Sequence, residues 1–151
     1  MSLRYRYQLV QMRRIIHPLR GRTVRPRPLI DVSVVGPIAA RARETLLDTG
    51  SDDTIFPEIL AVLIGVDLRS APTVSITNPL LGAIPIRYAD VKLRLTDGIE
   101  YREWPATVAF TPTRLQHPVL GFAGCLQFFT STFYGDREEV ELTVNRLYPG
   151  T

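Results

Sequence analysis

The side chains able to do chemistry gather in one stretch, "LLDTGSDDTIFPE" at residues 46–58. Asp48, Asp52 and Asp53 stand where one apolar run ends and before the next begins. A carboxylate at the edge of a core can take a proton when ionised and give one when protonated, which is general acid–base chemistry. The plain alternative is a strand-ending turn in which an Asp side chain bonds its own backbone two residues on. An Asp-Thr-Gly triplet arises by chance in a chain this long on the order of a few per cent of the time, so its surroundings must decide. Other reactive groups offer less. Cys125, the single cysteine, lies near Phe128 and Phe129 and reads as a buried thiol rather than a nucleophile. His17 and His117 each precede a proline, and neither has a visible Ser or Cys partner. One cysteine and two histidines make a poor zinc set, so neither a metal nor another cofactor is expected.

With 151 residues, 45% of them apolar, the chain can build one core. Its 12 prolines and 22% charged residues suit a loop-rich β protein and argue against disorder. No apolar run is long enough for a membrane-spanning helix, and Arg4, Arg6, Arg13 and Arg14 interrupt what a secretory leader requires. The lone cysteine excludes an internal disulfide and suits a reducing, cytoplasmic setting.

Charge is unevenly placed. Residues 1–28 hold eight arginines and no acid, while the remainder holds ten cations against fifteen acids. An arginine fork grips phosphate at two points, so nucleic-acid binding is one reading of this arm. Only Tyr5 and Tyr7 interleave the arginines and no nucleic-acid motif is present. The preferred reading is therefore an arm lying against the protein's own acidic body or a second copy.

The elements around the acidic stretch are short strands. "RYRYQLVQM" reads as an edge strand and "RGRTVRPRP" as an extended connector, which its prolines keep out of helix. "LIDVSVVGP" and "ARARETLLD" are the next strands, the second running into the acids. "FPEILAVLIG" predicts a short helix, with Pro57 in its first turn, Glu58 at the positive end and Gly65 closing it. "TVSIT", "IPIRYADVKLRLT" and "EYREWPATVAF" follow as strands, with a hairpin at Asp97-Gly98. Arg87, Ala89, Val91, Leu93 and Leu95 form the more apolar face of the middle one, which is expected to look inward. "GFAGCLQFF" suggests a second short helix, and "STFYGDREEVELTV" a hairpin around Gly135-Asp136. The fold class expected is all-β.

In this setting the acidic stretch resembles the retroviral-type aspartic proteases, the retropepsins, and in particular their stand-alone cellular or bacterial members. Their pattern is an apolar pair, Asp-Thr-Gly-Ala or -Ser, a flap hairpin, and an apolar-apolar-Gly turn before a C-terminal helix. "LLDTGSDDTI" matches the first part, and "VLG" at 119–121 the last. The resemblance covers roughly residues 29–145. It implies a retropepsin-like acid protease fold: a closed, barrel-like single lobe with a flap hairpin and one or two short helices. The division implied is a basic arm or edge strand at 1–28, then the protease domain with its C-terminal hairpin at 29–151.

The resemblance also implies roles. Two carboxylates about 3 Å apart share one proton, because like charges so close cannot both ionise readily. One Asp-Thr-Gly per chain then demands a two-fold homodimer cleaving a peptide or protein substrate. Asp48 becomes the catalytic carboxylate. Thr49 bonds across the dimer axis, and Gly50 lets the backbone pass close to substrate. Ser51 donates to the Asp48 carboxylate, lowering the pair's apparent pKa. Asp52 and Asp53 bond the substrate backbone or hold arginines. The flap falls at 77–85, with Leu80 and Leu81 touching substrate at its tip and Gly82 near the bend. Leu120 and Gly121 complete the substrate-binding set. The chain departs from the viral pattern at Phe122, where an arginine serves the acid after the loop. Arg25 or Arg27, of the same chain or of the partner chain, is expected to replace it as the partner of a buried Asp52. A retropepsin-like module that dimerises or binds peptide without turnover is the alternative.

Overall fold

The computed structural model describes residues 1–78 and 82–151. Its strands are β1 (Ser2–Arg6), β2 (Gln8–Gln11), β3 (Val24–Arg27), β4 (Leu29–Val35), β5 (Ala40–Leu47), β6 (Ile55–Pro57), β7 (Val74–Asn78), β8 (Gly82–Thr96), β9 (Tyr101–Thr111), β10 (Val119–Leu120), β11 (Phe129–Tyr134) and β12 (Glu139–Val144). One α-helix, α1 (Glu58–Ile64), follows β6 directly, and the protein is all-β. Seven strands form a sheet in the order β4-β5-β10-β6-β9-β8-β7, and β4 pairs again with β8 through Ser33–Val35 and Lys92–Arg94. That second pairing returns the sheet on itself and covers the end of the β4 edge, while β7 hangs from β8 as an outer strand. Inside it lie Ile30, Val32 and Val34 from β4, Leu93 and Leu95 from β8, and Trp104 and Val108 from β9, all nearly inaccessible to solvent.

The period-two pattern of β8 carries its own explanation. Ala89, Val91, Leu93 and Leu95 pack into or against the main core, as the alternation predicts. Ile84 and Ile86, on the opposite face, are buried too, in a second apolar layer with Ile55 and Ala109. Strand β8 is 15 residues long, so it runs beyond the barrel wall and meets cover on its other side. Both predicted hairpins form. Between β8 and β9 the link spans residues 97–100, held by the Asp97 carboxylate, which accepts the N–H groups of Ile99 at 2.9 Å and Glu100 at 2.8 Å.

Helix α1 packs Leu60, Ala61 and Ile64 onto the barrel and ends at Gly65, whose φ of 83° is left-handed. Pro57 stands one residue earlier than expected, as the extended N-cap rather than within the first turn. The second helix expected in "GFAGCLQFF" does not form: only a single 3-10 turn, Leu126–Phe128, appears there. The reason is tertiary. Phe122 and Ala123 donate their N–H groups to Ser51 and Asp52 across the structure, and Gly124 takes a φ of 87° that no helix continues through.

The arm divides in two. Strand β1 joins β12 and β11 in a three-stranded sheet, and Leu3 enters the main core. Strands β2 and β3, by contrast, pair only with each other. The stretch read as a plain connector thus supplies a strand, with Arg27 opposite Gln8 and Arg25 opposite Val10. Within the single chain Arg25 and Arg27 make no ion pair with Asp52, which is solvent-exposed there.

Candidate active site

Strands β5 and β6 are consecutive in sequence, yet β10 lies between them in the sheet, parallel to β5 and antiparallel to β6. Residues 48–54 must therefore cross over the end of β10, and this crossing sets the site's geometry. Asp48, the first residue past β5, donates its N–H to the carbonyl of Leu120 at 3.1 Å. Its carboxylate Oδ1 accepts the N–H of Gly50 at 2.9 Å, and its carbonyl accepts that of Ser51 at 3.2 Å. The triplet is thus an Asx-type turn that also fixes the direction of a half-buried carboxylate.

Below the turn, the crossing loop and the residues after β10 are bonded together. Phe122 N–H reaches the Ser51 carbonyl at 2.9 Å and Ala123 N–H the Asp52 carbonyl at 2.8 Å. Thr54, only 1% exposed, donates its hydroxyl to the Ala123 carbonyl at 2.8 Å and accepts the Gly121 N–H at 3.2 Å. Trp104 anchors the far end of the same turn, donating its indole N–H to the Gly124 carbonyl at 2.8 Å.

The structure gathers Asp48, Thr49, Gly50, Ser51, Asp52, Asp53, Leu120 and Gly121 into this one assembly. Thr49, Gly50 and Asp52 are exposed on it. Leu120 contributes differently from expectation: its side chain is wholly buried in the core, and its carbonyl is what it offers the loop. Gly121 is packed against the loop's backbone, since an added β-carbon would sit 2.7 Å from the Ser51 carbonyl oxygen. Ser51 also differs. Its hydroxyl donates to the Asp53 carbonyl at 2.8 Å, not to the Asp48 carboxylate, because the sharp crossing folds residue 53 back over residue 51.

The expected flap is a hairpin at its base, with Thr77 opposite Ala83 and Asn78 opposite Gly82. Gly82 is exposed with a φ of 75°. Leu80 and Leu81 lie outside the described residues.

Two side chains with evident roles escaped the sequence reading. Thr54 sits inside the quoted motif, but nothing in its type reveals that it will be buried. Tyr88 comes from β8, and its hydroxyl donates to the Asp53 carboxylate at 2.9 Å. Burial first, then that hydrogen bond and the carboxylate's charge, push its phenol up to about 12. Only the register of β8 against β9, Tyr88 opposite Ala109, delivers it to the acidic loop. Burial likewise raises the Cys125 thiol far above its ordinary range, which leaves it without thiolate reactivity. Among the described residues no group of three or more His, Cys, Asp or Glu could hold a metal ion, and no helix is long and apolar enough to cross a membrane.

No protein-family model matches the chain, and none of the curated proteins does.

Proposed function

We propose that the chain is an aspartic endopeptidase of the retropepsin type, active as a two-fold homodimer in which each copy supplies one Asp48. The observation that carries this reading is the held carboxylate: Asp48 projects from a turn clamped to the residues after β10, with its Oδ1 oriented by Gly50. A general base needs that fixed direction, and an ordinary exposed turn needs no such clamp beneath it. The β7–β8 hairpin and the exposed Phe122 beside the loop agree with a cleft and a subunit contact respectively.

In the dimer the two Asp48 carboxylates meet on the axis and share a proton. The ionised one takes a proton from water, and the water oxygen attacks the peptide carbonyl carbon. The protonated one gives its proton to the carbonyl oxygen. When the resulting tetrahedral species collapses, the C–N bond breaks and a proton goes to the leaving amine. A solitary chain has only half of this machinery.

Incubation with a mixed peptide library between pH 4 and 7, beside Asp48→Asn, tests the reading. Cleavage by the parent alone, rising with dimer fraction in sedimentation, supports it. Equal cleavage by both proteins points to a contaminant. A stable dimer without turnover leaves the silent peptide-binding module instead.

A further inference from the structure

Most cations of the arginine-rich arm find no counter-charge among the described residues. Of its eight arginines, two make ion pairs: Arg4 with Glu141 at 3.5 Å and Arg22 with Glu138 at 3.6 Å. Among the described residues no acid lies within ion-pair distance of Arg13, Arg25 or Arg27. The β2–β3 register puts Arg25 and Arg27 on one face of the ribbon, opposite Val10 and Gln8, roughly 7 Å apart along the strand. Arg13 is the second residue past β2, next to Met12, whose N–H still pairs with the Thr23 carbonyl.

Arg27 is the informative member. Its Nε is enclosed and has no hydrogen-bond partner, so packing rather than bonding sets its position, and its outer N–H groups are what remain to be used. Burial first, then the charges of Arg25 and Arg13, hold its pKa below the ordinary arginine value. Arg27 feels the charges of both Arg25 and Arg13, and with no acid among the described residues within ion-pair distance of any of the three the arrangement is unfavourable until an anion neutralises it.

We propose that Arg13, Arg25 and Arg27 form an oxyanion-binding site whose ligand is a phosphate group. The guanidinium fork matches two phosphate oxygens at once, and a half-packed Arg27 loses less freedom on binding than a free side chain does. The site is independent of the Asp48 loop and of any proteolytic activity. A phosphate can arrive free or along a polynucleotide backbone, and the two sources differ in their salt response.

The test is calorimetric titration of the full chain with inorganic phosphate, against sodium chloride at matched ionic strength. Saturable binding is expected, weakened about tenfold in Arg25→Gln and in Arg27→Gln, the scale of losing a charged hydrogen bond. Arg27 is partly packed, so exposed Arg13→Gln is the companion variant, checked for native circular dichroism and expected to weaken binding about threefold. Arg41→Gln, whose parent side chain bonds the Ala40 carbonyl elsewhere on the surface, should bind as the parent does. A single-stranded oligothymidylate identifies the source. A plot of log affinity against log salt with a slope of about −2, shrinking by about 0.7 per arginine removed, marks polynucleotide phosphates. Phosphate binding without oligonucleotide binding marks a small ligand. Heats that do not saturate, or that Arg13→Gln and Arg25→Gln leave unchanged, overturn the site.

Discussion

Gly121 and Asp53 are in backbone contact: a methyl group on Gly121 would run into the Asp53 carbonyl, with the Ser51 carbonyl oxygen 2.7 Å away. No flexible side chain is available to give way, because every obstructing atom belongs to the crossing loop's main chain. Gly121→Ala should therefore cost about 3 kcal/mol or more, the range for strain and overpacking in a buried site. It should also displace Asp48 and abolish the proposed cleavage. Gly135→Ala, with open space around its α-carbon, should change stability by no more than about 0.5 kcal/mol. Urea unfolding of the two variants checks the contrast, and equal midpoints would falsify the close contact.

Thr54→Val keeps the shape but removes a hydroxyl that serves the Ala123 carbonyl and the Gly121 N–H together. Leaving both groups buried without a partner should destabilise the protein by about 2 kcal/mol. Because the same bonds position the loop, turnover should fall more steeply than the folded fraction. Thr54→Ser, which restores the hydroxyl, should recover most of both, as thermal melts and peptide cleavage can establish.

Ser51→Ala separates two accounts of the same residue. A hydroxyl donated to the Asp48 carboxylate would make the acid limb of the pH–rate profile move on its removal. The hydroxyl instead bonds the Asp53 carbonyl, so the profile should keep its shape while stability drops by about 1 kcal/mol. A shifted acid limb in Ser51→Ala shows that the hydroxyl turns to Asp48 in the working enzyme.

Tyr88 titrates late, at about 12 against an ordinary value of 10.0, for reasons of burial and then the Asp53 contact. The folded chain thus holds this proton more tightly than the unfolded one. The stabilisation is complete below pH 10 and disappears as pH climbs through about 12. Difference absorbance between the parent and Tyr88→Phe isolates this phenol from the other tyrosines. Asp53→Asn removes the charge and should bring the Tyr88 titration back towards 10. A Tyr88 midpoint unaffected by Asp53→Asn contradicts the hydrogen bond.

Much of the local structure was legible in the chain. The strand at residues 29–35, the apolar set Val91, Leu93 and Leu95, the helix ending at Gly65 and both hairpins appear where period and turn chemistry place them. Failures cluster where two distant segments meet. "GFAGCLQFF" has a plausible helical length, but its first N–H groups bond the 48–54 loop instead. Ile84 and Ile86 break the inward–outward assignment because a second layer covers that face. Within one chain Arg25 and Arg27 do not reach Asp52, because a match of charge is silent about distance.

The sequence by itself determined that a carboxylate follows an apolar strand, that glycines flank its turns, and that eight of the chain's eighteen cations lie in a segment without acids. Those are properties of residue type and spacing, which act over a few neighbours. Only the tertiary structure decided that β10 wedges between β5 and β6, and so which carbonyls Gly121 must admit, why Thr54 is buried, and that Tyr88 meets Asp53. Strand order depends on pairings between residues tens of positions apart, where closing the loop and burying its apolar face outweigh any local preference.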